Sequence, residues 1–258
     1  MEQSLALRKR IASVVLKLGV AASCCMGILS HHGIGSGNFI YSIYKAFTIQ
    51  SNLWISGLCL IFLSFELTEN GQRRIPQGLH LLKFMFTSSI LLTWGVFAVL
   101  LSPTMTTAYL LSQSNFFLHN LTPVLALLDY LNFDADSRVQ SRQIPLSLVM
   151  PLLYAVFFCI SYAITGKLPV PYFFLDYKKY GWYRITRKGI GIIYWIVFLS
   201  FGLLGIGAAM LKLKALHKKN PFTVSLVSVA VMLGISALIG WISGLLLHKT
   251  DTKTAVSS

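Results

Sequence analysis

Residues 189–211 and 222–247 each exceed the length of helix that crosses a lipid hydrocarbon core, about 20 residues, without one charged side chain. In lipid the backbone N–H and C=O groups of such a stretch find no water, so they bond within their own helix. The same window finds five further candidates at 11–30, 39–65, 79–101, 107–131 and 146–165. Of these, 107–131 is the least apolar and would escape a hydropathy scan alone; the apolar stretches on both sides leave it little other role. Composition agrees, with 55% hydrophobic and 12% charged residues, where soluble domains carry roughly 25% charged. The expectation is an all-α polytopic transmembrane helical bundle, one integral membrane domain across 1–258 with no separate soluble domain. Only 249–258 reads as an unstructured tail.

Formal net charge is +14, from 22 Lys and Arg against 8 Asp and Glu. In a soluble protein that excess points to nucleic acid; here it sits in short connections where anionic headgroups attract it, so membrane lipids are the expected partners and nucleic acid is not. Arg8, Lys9, Arg10, Arg73, Arg74, Arg138, Arg142, Lys212, Lys214, Lys218 and Lys219 fall on one side, the cytoplasmic one if the amino terminus is inside. The 166–189 connection, with Lys167, Lys178, Lys179, Arg184, Arg187 and Lys188, runs against that rule. Its aromatic, proline-bearing stretch from Pro169 to Tyr177 either lies along the interface or dips inward. The start of the chain loosely resembles a signal peptide, but Lys17 interrupts the apolar run and no small-residue cleavage site follows, so it reads as an uncleaved first span. Cys24, Cys25, Cys59 and Cys159 lie in apolar stretches without metal-ligand spacing and read as free thiols. His31, His32, His80, His217 and His248 flank spans or adjoin lysines, and interface placement accounts for all five. Neither a metal nor an organic cofactor is expected.

Two polar clusters interrupt this apolar background. One runs from Phe47 through Thr48, Ile49, Gln50 and Ser51 to Asn52; the other holds Gln113, Ser114, Asn115, His119, Asn120, Thr122 and Pro123 and ends at Asp129. Lys45, Thr48, Asn52, Ser56 and Cys59 recur at helical spacing, as do Asn115, His119 and Thr122. If the second helix begins near Phe39, Thr48 lies about 13 Å below the outer surface and His119 about 18 Å, close enough to meet. A threonine hydroxyl becomes a nucleophile when a neutral imidazole takes its proton. Gln50, Asn52, Asn115 or Asn120 would then donate to a developing oxyanion. Pro123 removes a donor and frees the carbonyl four residues back, at His119. Asp129, ten residues along the same helix, is too far to complete a triad and belongs at the cytoplasmic end. Asp176 approaches, if at all, from the outer connection. The plainer reading of the same residues is hydroxyls bonded to their own helix carbonyls and amides gluing helices together.

The run from Phe47 to Leu53, the segment from His119 to Pro123 continuing to Asp129-Tyr130-Leu131, and Thr165-Gly166 followed by Pro171 to Asp176 resemble the signature of bacterial six-transmembrane membrane proteins. Those are similar to the eukaryotic androgen-induced gene family of integral-membrane threonine hydrolases, which cleave fatty acid esters of hydroxy fatty acids. The resemblance covers a six-span core of about 1–211. It implies that Thr48 is the nucleophile and His119 the base, acting on a lipid ester in a bacterial plasma membrane. The proline stands one position nearer the histidine than in the eukaryotic form, and the Gln50-Ser51-Asn52 run has no clear eukaryotic equivalent. The seventh span, 222–247, is an addition. Its Gly234, Ser236, Gly240 and Gly244 fall largely on one face suited to close packing. A non-enzymatic transporter or scaffold is the competing reading; the inverted repeats common in transporters are not visible.

Overall fold

Apolar continuity sets the architecture. The computed structural model describes residues 2–33, 40–68, 75–134, 139–170, 172–187 and 189–256, with side chains placed from Leu7 to Ile242. Six of its helices are long and apolar enough to cross a membrane: Leu7–His32, Phe47–Leu67, Gln77–Thr104, Ser141–Thr165, Ile192–His217 and Pro221–Ile242. They belong to α1 (Glu2–His32), α2 (Phe47–Leu67), α3 (Gln77–Val96), α7 (Val149–Thr165), α9 (Ile192–His217) and α10 (Pro221–Val256). The chain is thus an all-α, multi-pass membrane protein. Strand among the described residues is confined to the hairpin of β1 (Ile185–Thr186) and β2 (Gly189–Ile190).

The remaining expected span, 107–131, is a broken helix packed against α1 and α3. It is assembled from α4 (Thr107–Leu110), α5 (Gln113–Asn115), a π-helical turn Phe116–Leu121 and α6 (Thr122–Phe133). Hydroxyls restart it twice: Thr106 accepts the Tyr109 N–H and Ser112 accepts the Asn115 N–H. The second boundary also differs from expectation. Phe39 lies outside the described residues, Tyr41–Lys45 is a 3₁₀ turn, and extended Ala46 (φ −76°, ψ 135°) delays α2 until Phe47. Thr48 therefore sits in the first turn of α2 rather than two to three turns into a longer helix. Residues 249–256, expected to be an unstructured tail, continue α10, since no Gly or Pro follows Gly244 to stop the helix. Arg73, Arg74, Arg138, Pro171 and Lys188 lie outside the described residues.

On α10 the small-residue face is not packed. A Cβ on Gly234 or Gly240 would meet nothing, while Ser236 turns toward α3 and accepts the Trp94 indole N–H at 3.0 Å. The Gly244 position lies beyond the described side chains.

The strongest tie is ionic. At the end of the bundle where α1 starts, labelled the inner end for reference only, Lys17, Lys83 and Asp129 are all fully buried. Asp129 binds Lys17 through one oxygen at 3.0 Å and Lys83 through the other at 2.7 Å. Lys17 also reaches Ser13 at 2.6 Å and Glu66 at 2.8 Å, while the Lys83 ammonium lies 4.4 Å from the centre of the Phe62 ring. One carboxylate thereby joins α1, α3 and α6, and Lys17 carries the tie on to α2. A second knot lies beside it: Asp134 pairs with His80 and with Lys214, and His217 meets Asn132 at 3.0 Å. His80 and His217 are buried partners of polar groups, not the interface residues their flanking positions suggested. Removing one partner strands a buried charge, so Asp129→Leu should destabilise the protein by about 3–5 kcal/mol. Adding Lys17→Met and Lys83→Met should recover most of that loss. Thermal unfolding in detergent of the single and triple variants checks both.

Candidate functional site

The start of α2 leaves backbone donors without acceptors. Gln50 N–H is the first amide of the helix to reach a carbonyl, that of Ala46. The N–H groups of Phe47, Thr48 and Ile49 point outward from the helix end, as the first amides of any helix do. The two carbonyls a turn behind Thr48 are engaged already: Tyr44 O accepts from the Gln50 amide at 3.1 Å, and Lys45 O accepts from the Tyr154 hydroxyl at 2.9 Å. Ser51, Ser64, Ser88, Ser89 and Thr93 each donate to a carbonyl of their own helix. Among the described residues no such bond holds the half-buried Thr48 hydroxyl. It faces an apolar cavity of about 90 Å³ together with Phe47, Thr93, Tyr154 and Tyr172. The Tyr172 phenol lies close enough to the Thr48 hydroxyl and to the N–H groups of Thr48 and Phe47 for their dipoles to act on it. Burial pushes that phenol above the usual tyrosine range, and those three donors pull it partly back.

Beyond Tyr172 the cavity wall is hydrocarbon. Leu92, Val96, Leu101, Leu199 and Leu203 line it, and the exposed Leu152 and partly exposed Ile196 and Ser200 bring it to the lipid-facing surface. The reason for the opening is in the packing. The inner part of the fourth long span, the 3₁₀ segment Ser141–Leu148, lies against α9, whereas farther out α7 and α9 share little direct packing.

His119 sits on a π-helical turn and stacks on Phe97, which opens a second π-helical turn at the end of α3. Their ring centroids are 3.8 Å apart and the planes 21° apart. Such turns carry an extra residue per bond ring and cluster at functional sites. The register changes the consequence of Pro123. Thr122 N–H bonds Phe117 O, five residues back. Proline in that register therefore leaves Leu118 O without a donor, not His119 O as a regular α-helix would have it. Asn52 fills the gap: its amide donates to Leu118 O at 3.1 Å and to Thr48 O at 2.7 Å. The two carbonyls thus lie within about 6 Å of each other.

Thr48 and His119 therefore stand on neighbouring elements at the outer end, joined through Asn52. Their functional groups do not touch. No hydrogen bond links the hydroxyl to the ring among the described residues, and His119 does not border the cavity. Its Nδ1 is buried with no partner, as are Asn52 Oδ1 and Asn115 Oδ1.

The expected amide donors are mostly spent elsewhere. Gln50 caps Tyr44 O, both Asn52 N–H directions serve carbonyls, and Asn115 donates to Leu110 O at 2.7 Å. Asn120 is half-buried and bonds to no described residue. Asp176 accepts from the Tyr162 hydroxyl at 2.9 Å and from the Lys179 N–H at 3.0 Å, which makes it the anchor of the outer connection. Phe47 and Thr48, whose amides reach no backbone carbonyl because the helix starts there, do line the cavity. Tyr172 went unnoticed because nothing local marks one tyrosine in an aromatic run. Comparison with protein families, curated proteins and solved structures finds no match for this chain.

Asn52→Ala should cost about 1–3 kcal/mol, since Leu118 O loses its donor while Thr48 O keeps the Ser51 hydroxyl. Pro123→Ala supplies an N–H that can reach Leu118 O, so the cost of Asn52→Ala should fall in that background. A double-mutant cycle from unfolding in detergent measures the difference.

Proposed function

We propose that the protein is an intramembrane hydrolase of lipid esters, of which fatty acid esters of hydroxy fatty acids are one example, in a bacterial plasma membrane with the amino terminus cytoplasmic. The observation that supports it most is the Thr48 hydroxyl, unengaged by its own helix, beside amides that reach no carbonyl, at an apolar cavity open to lipid. The acyl chain enters between α7 and α9. The Thr48 oxygen attacks the ester carbonyl carbon while its proton passes to His119. The carbonyl oxygen, now negative, is held by the Phe47 and Thr48 N–H groups. Collapse breaks the ester C–O bond, and His119 returns its proton to the leaving alkoxide. Water then attacks the acyl-threonine by the same path, releasing a fatty acid and restoring Thr48. Because hydroxyl and imidazole do not touch, substrate entry has to bring them together. The three resembling motifs support the same assignment.

A second reading rests on a different observation, the charges buried around Asp129. Ionisable groups inside a membrane mark solute or proton paths as a rule, and a transporter or scaffold would hold them too. Stabilisation by polar solutes and not by lipids, in a thermal-shift screen, would favour it.

An alkyl fluorophosphonate should label the wild type in detergent and leave Thr48→Ala unlabelled. His119→Ala should label about 100-fold more slowly or less. Labelling that persists in Thr48→Ala overturns the proposal.

A further inference from the structure

The outer connection closes over the cavity. Gly166 ends α7 in the left-handed conformation (φ 68°), which lets the chain reverse, and Gly181 (φ 71°) turns it again after α8 (Tyr177–Tyr180). Between them the aromatic run dips into the bundle, as one of its two expected placements had it. Phe174 and Leu175 are buried against Leu203 and Phe47, and Tyr172 stacks on Phe174 with centroids 5.4 Å apart. Asp176 fastens the segment to α7 through Tyr162. The result places a phenol oxygen within reach of the Thr48 hydroxyl and the Phe47 and Thr48 amides.

We infer that Tyr172 gates the site: its phenol oxygen takes the place of the substrate carbonyl oxygen at the start of α2 and has to swing away before an ester can bind. The inference rests on the Thr48 reading and adds regulation to it. Two groups compete for the Phe47 and Thr48 amides. A neutral phenol holds them weakly, and the oxyanion formed during attack holds them more strongly, because charge shortens and roughly doubles such bonds. Burial raises the phenol's pKa, so Tyr172 stays neutral at pH 7 and yields to the anion. The rings of Tyr154, Phe158 and Phe174 pack around it. Phenylalanine therefore keeps the packing and removes only the oxygen.

The test uses the full-length protein in detergent, with Tyr172→Phe, Tyr172→Leu and Thr48→Ala, each checked for an unchanged elution volume and melting transition. Two readouts are taken. Hydrogen exchange of a peptide spanning residues 44–50 reports the amides without requiring activity, and it should quicken in Tyr172→Phe. Fluorophosphonate labelling should rise roughly two- to tenfold, the range one neutral hydrogen bond is worth, and disappear when Thr48→Ala is added. Unchanged exchange in both Tyr172 variants overturns the gate and leaves the hydrolase standing. Faster exchange with slower labelling also overturns it, since the phenol would then be a required donor. Labelling that survives Thr48→Ala, or labelling absent from every variant, defeats the hydrolase and the gate with it.

Discussion

A carboxylate cannot be buried in a lipid-embedded bundle unless its charge is matched, and Asp129 is matched twice. Lys17 from α1 and Lys83 from α3 take its two oxygens, and Glu66 and Ser13 take the remaining reach of Lys17. Between apolar helices in lipid there is little hydrophobic drive to associate, so packing and polar contacts decide which faces meet. These ions fix the rotation of α1, α3 and α6, and through Glu66 they fix α2. Once those four are set, Asn52 and the His119 turn are brought together at the opposite end.

The two ends of the bundle divide the work. At the inner end the charges are paired and packed beside Phe62, Tyr130 and Phe84, with the Tyr130 hydroxyl and one Glu66 oxygen left without a partner among the described residues. At the outer end the Thr48 hydroxyl and the first amides of α2 meet only the Tyr172 phenol, and His119 Nδ1, Asn52 Oδ1 and Asn115 Oδ1 lack a partner among the described residues. Buried polar groups without partners are costly, and a rigid frame elsewhere is what allows them to persist. Two π-helical turns, at Phe97 and at Phe116, sit in that same outer region. Each unwinds a helix just where a side chain needs a different direction.

How far the residues themselves revealed this can be followed site by site. The six long spans were plain from apolar length, and the weaker one was recovered because its neighbours left it no alternative. Its breaks at Ser112 and its π turn were not visible, because propensity does not report a change of hydrogen-bond register. Pro123 was recognised as a breaker, but the freed carbonyl moved by one residue with that register. Thr48 and His119 stood out as polar groups in apolar sequence. Gln50 and Asp176 did so equally, and packing gave them structural partners. Lys17 shows in the sequence only as an interruption of the first apolar run, and nothing local marks Lys83, since a charge near a span end snorkels by default; both turn inward to Asp129.

The amino-acid sequence by itself determined that the chain is helical and lives in a membrane, because apolar length and the need to satisfy the backbone act locally. It also marked which spans carry polar groups. Tertiary structure alone decided which of those groups meet: Asp129 with two lysines, Asn52 with two carbonyls, His119 with Phe97, Tyr172 with the start of α2. Each pairing joins residues far apart in the chain, and their partnership depends on the rotation of whole helices, which no local pattern encodes.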